Sequence, residues 1–434
     1  MSDTKLRALQ PKKPFPTQNT AEKAFKQLGP GLITGAADDD PSGIATYSQA
    51  GAQFGFGLLW TMLLAYPLMS AIQIVSARIG RVTGCGLAAN LHAIWPRSLV
   101  FALVLLLFGA NAINIGANLA AMGASVELAA GLPSFPATIA LAILSLLLQM
   151  FVSYHVYARY LKWLTMVLLS YVAVLFTVKI DWAAALRGFV IPSLEGGGNA
   201  LTVVVAILGT TISPYLFFWQ TSQEVEEIEE DDAAEPLKRA PRQARRELRR
   251  IRFDTFIGMA VSNLVAIAII MSTAATLHAN GKTDIGTAAD VAEALKPVAG
   301  DFAFLLFSIG IVGTGMLSIP VLAGSVAYAV SECCGWDCSL ESRPSEAVGF
   351  YGVIAAATLL GLGVEFAPVD PIKALFWSAV INGFVAVPIM AGMMMVVSRS
   401  AQMKQFTARP LLLLGGWIAT GVMALAALAM LILE

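Results

Sequence analysis

Asp38, Asp39 and Asp40 follow one another and run directly into Pro41-Ser42-Gly43, in the middle of an otherwise apolar stretch. Gly31-Leu32-Ile33-Thr34-Gly35-Ala36-Ala37 precedes them and Ile44-Ala45-Thr46-Tyr47 follows. One carboxylate at bilayer depth costs at least ~2.5–3.5 kcal/mol on insertion scales, and such residues face a polar cavity or a partner. Pro41 has no N–H and Gly43 tolerates most backbone angles, so a helix here breaks where the charges lie. Broken backbone at that depth survives only where protein buries it or it lines a water-filled cavity. Carboxylates and freed carbonyls are hard oxygen donors suited to Mg2+, Ca2+ or Mn2+. The pattern predicts a cation site on a hydrated passage.

A second interruption, Gly209-Thr210-Thr211-Ile212-Ser213-Pro214-Tyr215, sits in another apolar stretch. Neither break offers a Met, Cys or His that would favour a soft metal. Mg2+ sheds water reluctantly, so one or two carboxylates around a largely hydrated ion suffice. Taken alone, Asp40-Pro41 also reads as a helix N-cap with proline at the first helical position. That reading leaves Asp38 and Asp39 unexplained.

The elements that must hold these residues are membrane helices. The chain has 434 residues, 57% hydrophobic and 13% charged, where a soluble domain carries about 25% charged residues. A net charge of −1 says nothing about nucleic acid, but no basic, aromatic-rich domain is present, so no nucleic-acid partner is expected. Runs of about 20 apolar residues predict eleven spans, near 30–50, 56–78, 98–128, 136–153, 160–179, 199–222, 253–276, 302–330, 346–364, 371–396 and 410–432. Residues 1–28 are polar and basic without an apolar core, and read as a cytoplasmic tail before a transmembrane domain over 29–434. Of the 28 Lys and Arg, all but Lys179, Arg187, Lys282, Lys296 and Lys373 then fall on the cytoplasmic side of a plasma membrane, the inner one in a bacterium. The broken spans, first and sixth, open two five-span halves of about 29–180 and 199–397, with the eleventh span appended. Matching breaks in two halves indicate inverted repeats with the substrate between the breaks. The lipid bilayer and a cation are the only partners this requires, and one chain suffices.

Around these breaks the sequence resembles the NRAMP divalent-metal transporter family. Gly29-Pro30-Gly31, Asp40-Pro41-Ser42-Gly43-Ile44-Ala45-Thr46, Gly51-Ala52-Gln53-Phe54-Gly55 and Leu58-Leu59-Trp60 are similar to its first-span block, G-P-G…D-P-G-N-x-A-T…G-A-Q-F-G…L-L-W. Gly209 to Tyr215 resembles its sixth-span G-A-T-V-M-P-H. The resemblance implies an all-α fold of the leucine-transporter type, alternating access, and no enzymatic activity or resident cofactor. It places Asp40 at the metal-binding Asp and Thr210 at the position whose backbone carbonyl is a ligand. It also places Gly43 where the family has an Asn ligand, Ser213 where it has a thioether, and Tyr215 where it has a His. Third-span carboxylates linked to proton movement fall within Ala112–Asn118, where Asn114 and Asn118 stand instead. This pattern is similar to the family's magnesium-transporting branch, and implies Mg2+ with Mn2+ and doubtful proton coupling. The alternative it leaves is a proton-coupled Mn2+/Fe2+ importer.

Other polar residues extend the candidate set. Asn111, Asn114 and Asn118 share a helical face and serve either interhelical bonding or a hydrated path. Asn382, beside Gly383, is a cavity-lining candidate with Asp38, Asp39, Asn114, Asn118 and Tyr215. At 100° per residue three successive aspartates cannot all face one ion from a regular helix. Asp254 reads as interfacial, and Glu224 to Arg252 as a solvated, self-paired helix pair. Cys333, Cys334 and Cys338 lack a nearby fourth ligand and read as free thiols. A membrane hydrolase is excluded, since the acids are adjacent and no nucleophile elbow or His-Glu-x-x-His motif occurs. A sodium-coupled amino-acid carrier fits broken helices, but a substrate carboxylate sits poorly beside three aspartates.

Overall fold

The computed structural model describes residues 34–35, 37–152, 166–194, 197–230, 233–340, 342–366 and 369–433. The N-terminal tail, Gly29-Pro30-Gly31, His155, Arg159, Lys162, Asp231 and Asp232 lie outside the described residues. Among those described, every regular element is helical. Among the described residues nine helices are long and apolar enough to cross a membrane. The first and fifth expected spans are absent from that number, and both lie partly outside the described residues.

The first half runs α1 (Pro41–Phe54), α2 (Trp60–Thr83), α3 (Arg97–Ala130), α4 (Ser134–Phe151) and the short α5 (Leu169–Val174). In the second half the sixth span is split into α6 (Gly198–Thr211) and α7 (Pro214–Glu230). Then come α8 (Ala244–Thr276), α9 (Ala303–Cys334), α10 (Val348–Leu362), α11 (Pro371–Ser398) and α12 (Pro410–Leu433). Short helices Leu87–His92, Trp182–Val190 and Ala288–Ala292 lie between the long ones.

Packing repeats between the halves. α1 lies on α8 as α7 lies on α2, α4 packs on α3 as α10 packs on α9, and α3 and α9 run along each other. Small polar residues serve these contacts, as expected where lipid gives no hydrophobic drive. Ser76 Oγ donates to the Phe217 carbonyl at 2.5 Å, joining α2 to α7. Asn111 Nδ2 donates to the Leu322 carbonyl at 2.8 Å and to Ser325 Oγ at 3.0 Å, joining α3 to α9. Asn111 is therefore an interhelical residue. Gly209 of α6 meets α11 so closely that a Cβ would collide with the Ala379 carbonyl. Outward-facing Leu105, Leu106, Leu411, Leu425 and Leu431 are exposed, as a bilayer-facing surface requires.

Burial refines two expectations. α8 begins at Ala244, ten residues before Asp254, and Asp254 is buried in protein. The acidic-to-basic segment is self-paired but only partly solvated: Glu224, Glu226 and Glu247 are buried, whereas Glu229, Glu230, Arg242, Arg245, Arg246 and Arg249 are exposed. Arg250 reaches Glu224 at 2.6 Å, Glu227 at 2.9 Å and Glu247 at 3.1 Å, and Arg81 of α2 meets Glu247 at 3.2 Å. These pairs neutralise one another, which lets α7 and α8 continue as packed helices past the end of their apolar runs. Glu226 accepts the Tyr328 hydroxyl at 2.6 Å and the Leu340 N–H at 2.8 Å, binding α7 to α9 and its following loop.

Candidate metal-ion site

Both breaks follow from proline chemistry. Pro41 cannot donate to the carbonyl four residues back, Ala37, and Pro214 cannot donate to Thr210. The Ala37 carbonyl instead receives the Tyr215 hydroxyl, at 3.5 Å, from the opposite break. The Thr210 carbonyl receives Ser213 Oγ at 2.7 Å, and the same hydroxyl lies 2.8 Å from the Gly209 carbonyl. Each interruption thus leaves one carbonyl served only by a hydroxyl. Hydroxyls rotate, so both oxygens remain available to an ion.

Asp40 is the N-cap of α1. Its Oδ1 accepts the Gly43 N–H at 2.9 Å and the Ser42 hydroxyl at 2.6 Å. The N-cap reading of Asp-Pro is correct for this residue. It does not exhaust it, because Oδ2 faces Asn114 of α3, whose Nδ2 is 3.5 Å away. Asn118 lies one turn along α3, within reach of the same carboxylate, with its Nδ2 3.4 Å from Ser318 Oγ of α9. Ser378 of α11 donates to Asn114 Oδ1 at 3.1 Å and so orients that amide. One turn further along α11, Asn382 is buried and both its amide atoms lack a hydrogen-bond partner.

The breaks touch. Ser42 Oγ and Thr210 Oγ1 are 3.4 Å apart, and a Cβ on Gly43 would lie 3.4 Å from Thr210 Oγ1. The edge of the Tyr47 ring would be 3.2 Å from that Cβ, so the phenol covers the side of the site where Gly43 has no side chain. Asp40, Gly43, Thr210, Ser213, Tyr215 and Asn114 therefore gather at one point, with Asn118 and Asn382 at its edge. Asp38 and Asp39 do not join it; they turn to Ser262 of α8, at 2.8 and 2.9 Å. They face away from the partners of Asp40 because the helix ends at Asp38 and the chain turns before Asp40. Above the breaks a cavity of about 290 Å³ is lined by Gln49 and Gln53 of α1, Asn199 and Thr202 of α6, Asp284 and Lys373. The lining faces of α1 and α6 continue by helical periodicity down to Ser42 and Thr210.

Sequence reasoning missed Ser42, Ser262, Ser378 and the Ala37 carbonyl. Ser42 and the carbonyl had a signal, the first two residues from Asp40 and the second four before a proline. Ser262 and Ser378 had none; a serine in a membrane helix is ordinary until its neighbours are known. Among the described residues no three acid, thiol or imidazole groups converge on a metal position, so hydroxyls, amides, carbonyls and water must supply most donors. All four cysteines are free. Burial and the nearby Glu332, Glu229, Glu226 and Asp337 push the Cys338 thiol up to about 12, which suits neither ligation nor redox reactivity.

Residues 31–433 match the family described as Natural resistance-associated macrophage protein-like, Nramp. The chain belongs to the NRAMP family. Among its relatives, the divalent metal cation transporter MntH of Yersinia pestis is 30% identical over 69% of this chain and 71% of its own length. That of Chromohalobacter salexigens is 29% identical over 69% of each. A solved structure of a mutant of the Eremococcus coleocola manganese transporter superposes with a TM-score of 0.76 over 98% of this chain and 90% of its own, at 17% identity. The likeness establishes the fold: an inverted-repeat NRAMP bundle with broken first and sixth helices. This NRAMP protein is a multi-pass membrane transporter and not an enzyme.

Proposed function

We propose that this NRAMP protein carries divalent cations by alternating access, moving Mg2+ and Mn2+ into the cytoplasm across a bacterial inner membrane with its N-terminus inside. The observation that supports the reading is the contact between the two breaks around an all-oxygen donor set. Asp40 supplies the charge, Thr210 and Ala37 supply carbonyls, Asn114 and Asn118 hold the Asp40 carboxylate through their amide N–H groups, and Asn382 supplies an amide oxygen directly or through water. Gly43 and Ser213 leave the site wider than Asn and Met would, and no sulfur is present to select soft ions. Such a site suits an ion that keeps several waters, as Mg2+ does. The names of the MntH relatives and of the manganese transporter structure favour Mn2+ as a substrate, and a hard oxygen site accepts it as well.

The residues act in sequence. Gln49, Gln53, Asn199 and Thr202 receive the hydrated ion in the cavity above. Asp40, held by Ser42 and Gly43, exchanges part of its hydration for carboxylate oxygen. The carbonyls of Ala37 and Thr210 then turn from their hydroxyl partners to the ion. Asn114 and Asn118 stand where a proton-carrying acid would be needed, so transport runs without a coupled proton. The family resemblance leaves a second reading, a proton-coupled Mn2+/Fe2+ importer.

Proteoliposome uptake of Mg2+, Mn2+, Ca2+ and Cd2+ with a pH dye in the lumen tests both readings. Mg2+ and Mn2+ entry without acidification is expected. Entry of Mn2+ alone, with acidification in step, selects the second reading; no divalent entry at all refutes both.

A further inference from the structure

The three aspartates at the first break divide into two groups. Asp40 addresses α3, whereas Asp38 and Asp39 address α8, where Asp38 Oδ2 and Asp39 Oδ1 lie 2.8 and 2.9 Å from one Ser262 Oγ. A serine hydroxyl carries one proton and satisfies one of these oxygens at a time. Asp38 Oδ1 has no hydrogen-bond partner, although the residue is fully buried. The Tyr47 hydroxyl is within electrostatic range of all three aspartates, is buried, and is also without a partner. Neither aspartate has a Lys, Arg or His at ion-pair distance among the described residues, and the charges acting on the pair are other carboxylates.

A buried pair of acids without a counter-charge is unfavourable, and the deficit is largest for isolated ionised groups. One divalent ion on Asp40 leaves the pair uncompensated. The pair itself presents hard oxygens, two potential negative charges and two hydroxyls, which is the donor chemistry of a small hard cation with some of its water. We propose that Asp38, Asp39 and Ser262, with the Tyr47 hydroxyl, form a second divalent-cation site that takes the ion after Asp40. The inference rests on the reading that Asp40 holds a divalent ion. The pair lies on the N-terminal side of the break, toward the cytoplasm in the proposed orientation. Buried oxygen donors continue that way: Gln220 Oε1, which accepts Thr34 Oγ1 at 2.5 Å, and Asp254, eight residues before Ser262 on α8. Mutual repulsion of two divalent ions weakens the binding of the second, so an ion reaching the first site favours departure of the ion at the second toward the cytoplasm.

The test counts ions. The purified full-length chain in detergent is titrated with MnCl2, and free Mn2+ is followed by its electron paramagnetic resonance signal. Two Mn2+ per chain are expected at saturation, the second bound more weakly. Asp40→Asn keeps one, the double variant Asp38→Asn/Asp39→Asn keeps one and slows Mn2+ uptake, and Ser262→Ala weakens the second ion by about tenfold, the equivalent of about 1.4 kcal/mol. Gel filtration and thermal melting show that each variant is folded, and Ser262→Ala stands in for the double variant if that one is not. One Mn2+ in the wild type and none in Asp40→Asn means that the pair holds only protons; this overturns the second site and leaves the Asp40 reading intact. A wild-type chain that binds no Mn2+ overturns both.

Discussion

Exchanging Ser213 for methionine separates a hard, hydrated site from a soft one. The Ser213 hydroxyl is buried and lies within 2.8 Å of two carbonyls, Gly209 and Thr210. It has a single proton, so the exchange removes roughly one buried hydrogen bond, about 1 kcal/mol of stability. The carbonyl most affected is Thr210, which Pro214 has already deprived of its backbone donor. Across the gap Gly43 has no side chain, and a thioether reaching toward it would meet the ion. Sulfur favours Cd2+ and Mn2+ over Mg2+, and each tenfold change in relative affinity corresponds to about 1.4 kcal/mol. In proteoliposomes containing a Mg2+ dye, Cd2+ should inhibit Mg2+ entry at about tenfold lower concentration in Ser213→Met than in the wild type, one such step. Ser213→Ala, which loses the hydrogen bond but gains no sulfur, should stay near the wild-type ratio. If Ser213→Met is folded and keeps that ratio too, Ser213 is not at the ion, and the placement of the site between the breaks is wrong.

Other perturbations reach different parts of the molecule. Asp40→Ala removes the carboxylate that faces α3 and should abolish Mg2+ and Mn2+ uptake; wild-type flux in that variant would refute the assignment. Arg250→Ala leaves the buried Glu224 without its cation and should destabilise the protein by about 3–5 kcal/mol, read as a lower melting temperature in detergent. The Cys338 thiol, raised to about 12, stays protonated at pH 8, so iodoacetamide should modify the exposed Cys85 and Cys334 well before it. Peptide mass spectrometry would show the order, and early labelling of Cys338 would contradict the burial argument.

The two breaks were legible in the sequence because proline acts locally: it removes a donor wherever it stands, and Asp38–Gly43 and Ser213-Pro214 sit in stretches long enough to span a membrane. The span positions were legible for the same reason, since length and apolarity set them. Asp40 and Thr210 could be placed because their motif resembles a known one. The facing of Asp38 and Asp39 was not legible, because it depends on where the helix ends and on Ser262, more than 200 residues away in sequence. The burial of Asp254 was not legible because α8 carries charged residues that apolar length cannot anticipate; the partners of Glu247 and Arg250 on α2 and α7 make that end of the helix compatible with burial. Ser378 was invisible for the reason that hides most small polar residues in membrane helices: its role exists only once Asn114 is beside it.

Each proline deletes a rung from its helical ladder, and the two deletions lie side by side. The rods are therefore jointed at the same height, and the joints are coupled through Tyr215 with Ala37 and through Ser42 with Thr210. Tilting one lever about its joint strains a bond held by the other. On the proposed reading, a cation drawn to the Ala37 carbonyl displaces the Tyr215 hydroxyl and frees one of the two couplings, so cargo itself would loosen the joint between the rods.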